Sequence, residues 1–160
     1  MSTPGHSMGY LMHWAGRLLR RLADQRLKPF GLSSAHLPVV TALMQQAEMS
    51  QKELTVEAGI EQPTMAEMLS RMERDGIVSR RPDPADKRST LISLTPAVRQ
   101  NASRIKEVIQ SINKDSLGTL PKAQREPFRL QLIQMISSLE AMQGAEDAKP
   151  PGRARRPSPG

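Results

Sequence analysis

Apolar residues along this chain recur mostly at helical spacing. Met8, Leu11, Ala15, Leu18 and Leu22 form one stripe, which predicts a first helix from about residue 8 to 28, ended by Pro29, Phe30 and Gly31. A second helix is expected from a cap at Ser33 or Ser34 to about Gln46, with Pro38 close enough to its start to be tolerated. Ser50, Gln51, Lys52 and Glu53 read as a capping box that opens a short third helix, and Gly59 stops it. Pro63 falls in the first turn of a fourth, where its missing amide costs nothing. That helix should bury Met65, Leu69 and Met72, show Gln62, Thr64, Glu67, Ser70, Arg71 and Arg74, and end at Gly76. Two short helices joined by a tight glycine turn make a helix-turn-helix.

The pattern then changes to an extended one. Residues 77–81 and 91–94 read as two strands flanking a charged tip with Asp83, Asp86, Lys87 and Arg88. An isolated two-stranded ribbon is marginal in water, so its presence needs a reason beyond folding. Thr95 and Pro96 should open a fifth helix, on which Val98, Ala102, Ile105, Ile109 and Ile112 form a narrow seam. A sixth carries Phe128, Leu132, Met135, Leu139 and Met142 at the same spacing, and Pro127 should kink it or mark its true start. Narrow seams want a partner, and the first, fifth and sixth helices carry more apolar surface than one small domain can cover. From Gly144 the chain is rich in Pro, Gly and Arg and should be a disordered basic tail.

The fold class expected is mainly α with one small β-ribbon. Residues 1–7 would be a flexible start, 8–31 and 96–143 a helical dimerisation region, 32–95 a winged helix-turn-helix, and 144–160 the tail. A helix-turn-helix followed directly by a charged ribbon is the order of a winged helix. Its recognition helix enters the major groove, and the wing tip reaches the neighbouring minor groove or its phosphates. Gln62 and Thr64 are the base-edge candidates, since Gln suits adenine. Arg71 and Arg74 suit phosphates, which take over half of protein–DNA hydrogen bonds. Glu67 fits either a cytosine amine or a plain helix-face charge. Arg88 is the wing contact, and Lys87 is electrostatic only. Asp83 and Asp86 are expected to hold Arg88 and Arg81 by paired hydrogen bonds.

Charge supports this reading. The 160 residues carry a net charge of +7, which favours nucleic acid or another anionic surface. There is no Cys, so disulfides and thiol chemistry are excluded, and three His leave little room for a metal. Only Tyr10, Trp14, Phe30 and Phe128 are aromatic, too few for a single-strand stacking platform. No apolar run reaches the ~20 residues of a membrane span. The acid-free start is read as an amphipathic helix rather than a targeting segment, and the expected address is the cytoplasm. No phosphate loop, nucleophile elbow or metal-ligand spacing points to an enzyme, and no cofactor is expected. Two alternatives are an architectural DNA binder without a ligand and, on weaker grounds, a metal-responsive regulator.

Residues 50–95 resemble the MarR family of bacterial transcription regulators. The residues that carry the resemblance are Gln62-Pro63-Thr64, the run from Arg71 to Val78, then Arg80, Asp83-Pro84-Ala85-Asp86-Lys87-Arg88 and Leu94-Thr95. The helix order extends it to about 8–143, with Val98 departing from a glycine that the family often has. The resemblance implies an obligate homodimer with interleaved terminal helices, seated on palindromic operator DNA, with repression the commoner mode. It also places the first helix and the start of the second beside a cleft where many relatives bind small aromatic acids. Tyr10, His13, Trp14, Arg17 and His36 would there hold a planar carboxylate effector. The competing reading of these five is ordinary packing between subunits.

Overall fold

Ser7 opens the first helix, α1 (Met8–Leu27), its hydroxyl accepting the Tyr10 amide at 3.3 Å. The computed structural model describes residues 6–86 and 88–147. Lys87 and the tail beyond Asp147 lie outside them, as does most of the flexible start expected over 1–7. The chain divides into two units, one up to Ser116 and one from Leu117 onward.

In the first unit, α1 runs into a single 3-10 turn, Lys28–Phe30, and Gly31 takes the left-handed conformation that ends it, with φ 69°. Helix α2 (Leu37–Gln45) begins only after a further 3-10 turn, Ser34–His36, and carries Pro38 in its first turn. A two-residue strand β1 (Met49–Ser50) leads into α3 (Gln51–Ala58). The expected capping box is present: Glu53 accepts the Ser50 amide at 2.7 Å, and Ser50 Oγ accepts the Glu53 amide at 3.3 Å. Gly59, at φ 61°, closes α3, and α4 (Gln62–Arg74) follows with Pro63 in its first turn.

The wing is β2 (Val78–Pro82) and β3 (Thr90–Leu94), antiparallel, with Arg80 opposite Ile92 and Val78 opposite Leu94. It is not the two-stranded ribbon that its alternation suggests. β1 pairs with the other side of β3, Met49 opposite Ile92, so β3 is the middle of three strands. That third strand removes the marginal stability of a lone ribbon. It also leaves Pro82 on an edge strand, where its missing amide breaks no inner ladder.

Beyond the wing, the expected fifth helix is divided. Helix α5 (Pro96–Gln100) stops at Asn101, whose side chain donates to the Ala97 carbonyl, and α6 (Ala102–Ser116) continues. Thr95 does not cap α5 with its side chain. Its hydroxyl donates to the Gly76 carbonyl at 2.8 Å and its amide to the Ile77 carbonyl at 3.0 Å, which clamps the end of α4 to the exit of the wing. The seam on α5 and α6 is not waiting for a second chain. Val98, Ile105 and Ile112 are buried in the unit's own core with Leu27, Val39, Val40 and Ile92, and Ile109 packs against it. Arg26 of α1 reaches α6, bonding Ser111 and Asp115.

The first half of α1 behaves differently. Met8 and Leu18 of the predicted stripe are exposed, and only Ala23 and Leu27 are buried. The second unit holds α7 (Lys122–Asp147), which begins well before Pro127, so that proline marks no start. The helix also carries the chain past Gly144, where the tail was expected to begin. Leu130, Ile133, Ile136 and Leu139 of α7 are all exposed. Among the described residues no helix is long and apolar enough to cross a membrane.

Candidate nucleic-acid interface

Helix α4 has two faces. Met65, Leu69 and Met72 are fully buried, and the opposite side presents Gln62, Thr64, Glu67, Ser70, Arg71 and Arg74 to solvent. Ion pairs hold the two arginines loosely. Arg71 lies 3.3 Å from Glu67 one turn earlier, and Arg74 lies 3.0 Å from Asp75. Exposed pairs of this kind contribute little to stability, so a phosphate can displace either acid at small cost.

The aspartates of the wing tip act on backbone and not on arginine. Asp83 Oδ1 accepts the Ala85 amide at 2.8 Å, and Asp86 Oδ1 accepts the Arg88 amide at 2.9 Å. The Ser89 amide donates to the Asp86 carbonyl and the Asp83 amide to the Ser89 carbonyl, which closes the tip. The expected pairing of these acids with Arg81 is wrong. Arg81 is held by Glu48, its Nε donating to Glu48 Oε1 at 2.7 Å and its Nη2 to Oε2. This fork–fork pair ties β2 to the segment before β1 and holds the Glu48 carboxyl below its usual range. Nor does Asp86 hold the Arg88 guanidinium; it fixes the backbone that carries it.

A cleft of about 390 Å³ runs between the start of α4 and the wing, lined by Gln51, Lys52, Gln62, Arg80 and Arg88 among others. A second cleft, of about 600 Å³, opens between α3 and the wing tip, and Glu53, Glu57, Asp83 and Asp86 are in its wall. Arg80 and Arg88 thus line the cleft shared with α4, the acids line the other, and Lys52 borders both. Arg80 was not among the expected contacts. Its Nε lies 3.0 Å from Glu73 Oε2, yet Nε and Nη2 are both buried without a hydrogen bond. The carboxylate of Glu73 is the anion that Nε faces. The sequence signal was its place in the MarR resemblance, between Val78 and Asp83.

The five residues assigned to an effector are not brought together within the chain. Tyr10 and Trp14 meet edge to face at 6.0 Å, with Tyr10, His13 and Arg17 exposed on α1. His36 belongs elsewhere. The Ser34 amide donates to Asp24 at 2.7 Å, and Asp24 lies about 16 Å further along α1 than His13 at 1.5 Å per residue. His36 Nδ1 instead accepts the Ser33 amide at 3.2 Å, capping the turn before α2.

Residues 32–90 match the sequence model of the MarR family. They form a MarR family domain. Solved structures share the fold across most of the chain. A mutant MarR from E. coli, complexed with operator DNA, superposes with a TM-score of 0.72 at 22% identity, covering 80% of this chain and 92% of that one. A MarR transcriptional regulator from Methanosarcina mazei Go1 gives 0.72 at 19% identity, covering 84% and 97%. Reduced AbfR bound to DNA gives 0.70 at 21% identity, covering 84% and 91%.

The His36 cap predicts a pH dependence for this MarR family domain. Burial holds its pKa below the ordinary imidazole value, against the opposing pull of Asp75 and Asp24, while Arg71 adds to the depression. Between the folded and unfolded pKa values the unfolded chain binds more protons, so stability rises with pH. The contribution is fully present above the ordinary imidazole range and is lost as pH falls through it. Urea unfolding at a series of pH values should show this slope in the parent. His36→Asn, which keeps an uncharged acceptor for the Ser33 amide, should flatten it. An equal slope in both proteins would contradict the assignment.

Proposed function

We propose that this protein is a homodimeric, sequence-specific double-stranded DNA-binding transcription regulator. The observation that carries the reading is the cleft between α4 and the wing, where Gln62, Arg80 and Arg88 converge. The exposed face of α4 has the dimensions and chemistry of a major-groove reader: an amide and a hydroxyl near its start, arginines towards its end. Arg80 and Arg88 supply phosphate contacts, and Gln62 and Thr64 reach base edges. Titration of the parent and of Arg88→Ala against duplex DNA over a range of salt tests this. The variant should fold normally, bind more weakly and lose about one unit of salt slope per subunit. An unchanged affinity and slope in folded Arg88→Ala would remove the wing from the interface.

Dimerisation is supported by the apolar surface that the chain leaves open on α1 and α7. Ile136 is 50% exposed, with Ile133 and Leu139 beside it at helical spacing. A single chain would tolerate a charge at such a position. A dimer that buries it would not, because an unpaired buried charge costs several kcal/mol. Ile136→Asp should therefore abolish the dimer in analytical ultracentrifugation while the first unit keeps its helical signal. A monomeric parent, or an undisturbed dimer in the variant, would contradict this.

We read the output as repression, since a dimer seated on two half-sites blocks the DNA between them. Release by a small aromatic carboxylate remains the proposal for Tyr10, His13, Trp14 and Arg17. Edge-packed rings beside an exposed guanidinium offer both a flat apolar surface and a charge partner. A ligand that binds the DNA-incompetent state ~100-fold better shifts the balance by about 2.7 kcal/mol. Calorimetry with benzoate- and salicylate-like acids should show binding that releases DNA and that Arg17→Ala abolishes. Equal response in the variant would return these residues to subunit packing.

A further inference from the structure

Gln51 opens α3 and Gln62 opens α4, and their side chains meet. Gln51 Nε2 donates to Gln62 Oε1 at 3.1 Å, and both residues line the cleft with Arg80 and Arg88. A carboxamide has an acceptor on one side and two donors on the other. An unattached glutamine can turn either side outward. The bond to Oε1 removes that choice: the oxygen is held towards α3, and the amide nitrogen is left free on the open side. Gln51 is itself well anchored. The capping box between Ser50 and Glu53 fixes the start of α3, and the Thr55 hydroxyl donates to the Gln51 carbonyl at 2.8 Å.

We propose that Gln51 is a positioning residue for base readout, turning the Gln62 amide into the order that reads adenine. This rests on the DNA-binding reading above. Adenine shows the major groove an acceptor at N7 beside a donor at N6. The free Gln62 Nε2 matches the first. The second lone pair of Oε1, still available beside the Gln51 bond, matches the second. Guanine presents two acceptors and engages only the nitrogen. Holding the amide in advance also spares part of the ordering cost that binding otherwise imposes.

The test uses the full chain and a duplex selected by the parent from a random-sequence pool. The parent should prefer adenine by about tenfold at one position in each half-site, the discrimination of a good bidentate contact. Gln51→Ala should bring that preference close to parity at unchanged thermal stability. Gln62→Ala should cause the same loss, and the double variant no further loss. Gln51→Glu is the more telling change. A carboxylate only accepts, so it draws the Gln62 nitrogen inward, turns the oxygen outward and shifts the preference towards cytosine, whose N4 donates. A selective parent whose preferences survive Gln51→Ala overturns this inference alone. A parent that selects no sequence overturns the regulator reading and this inference with it.

Discussion

Met65, Leu69 and Met72 bury one face of α4 completely, and the rest of the surface follows from that commitment. With those three side chains fixed in the core, the helix cannot roll, and Gln62, Thr64, Glu67, Ser70, Arg71 and Arg74 are held outward. The end of the same helix is clamped to the wing by Thr95 on Gly76 and Ile77, and Arg80 of β2 reaches back to Glu73. Helix and wing are therefore one piece. A reader built this way meets DNA in a geometry set before contact, which is the condition for selecting sequence and not merely charge.

The acids of this surface have a consistent part in that geometry. Glu48 holds Arg81, Glu73 lies against Arg80, and Asp83 and Asp86 turn the wing tip by capping backbone amides. None of these contacts needs the acid to face a phosphate. Asp83 and Asp86 line the cleft on the α3 side, and Arg80 and Arg88 line the one beside Gln62. A net positive chain can thus keep carboxylates close to its binding surface without repelling the ligand, because they shape the loop that carries the charge.

Most of this frame was legible in the residues. The capping box at Ser50, the glycine stops at Gly59 and Gly76, and the i, i+4, i+7 spacing of the α4 core are local signals, and local signals survive folding. What failed was non-local. The two residues of β1 are too short to show alternation, and only their pairing with Ile92 reveals them as a strand. The seam of Val98, Ile105 and Ile112 has the spacing of a partner-seeking face. Spacing does not say whose surface covers it, and here the chain covers it itself. Arg81 went to Glu48, 33 positions earlier, in preference to the aspartates that stand nearest in sequence. His36 was grouped with His13 because the MarR resemblance puts the first helix and the start of the second beside one cleft, yet the turn before α2 carries it to the far end of α1.

The central claim is that α4 and the wing together read DNA as a two-fold pair. A hydroxyl-radical footprint of the parent on its selected duplex tests it most directly. The account predicts two protected stretches related by a two-fold axis, their centres about one helical turn or a whole multiple of it apart, each flanked by protection where a wing meets the backbone. Uniform protection without phase, or a single unpaired stretch, would contradict it.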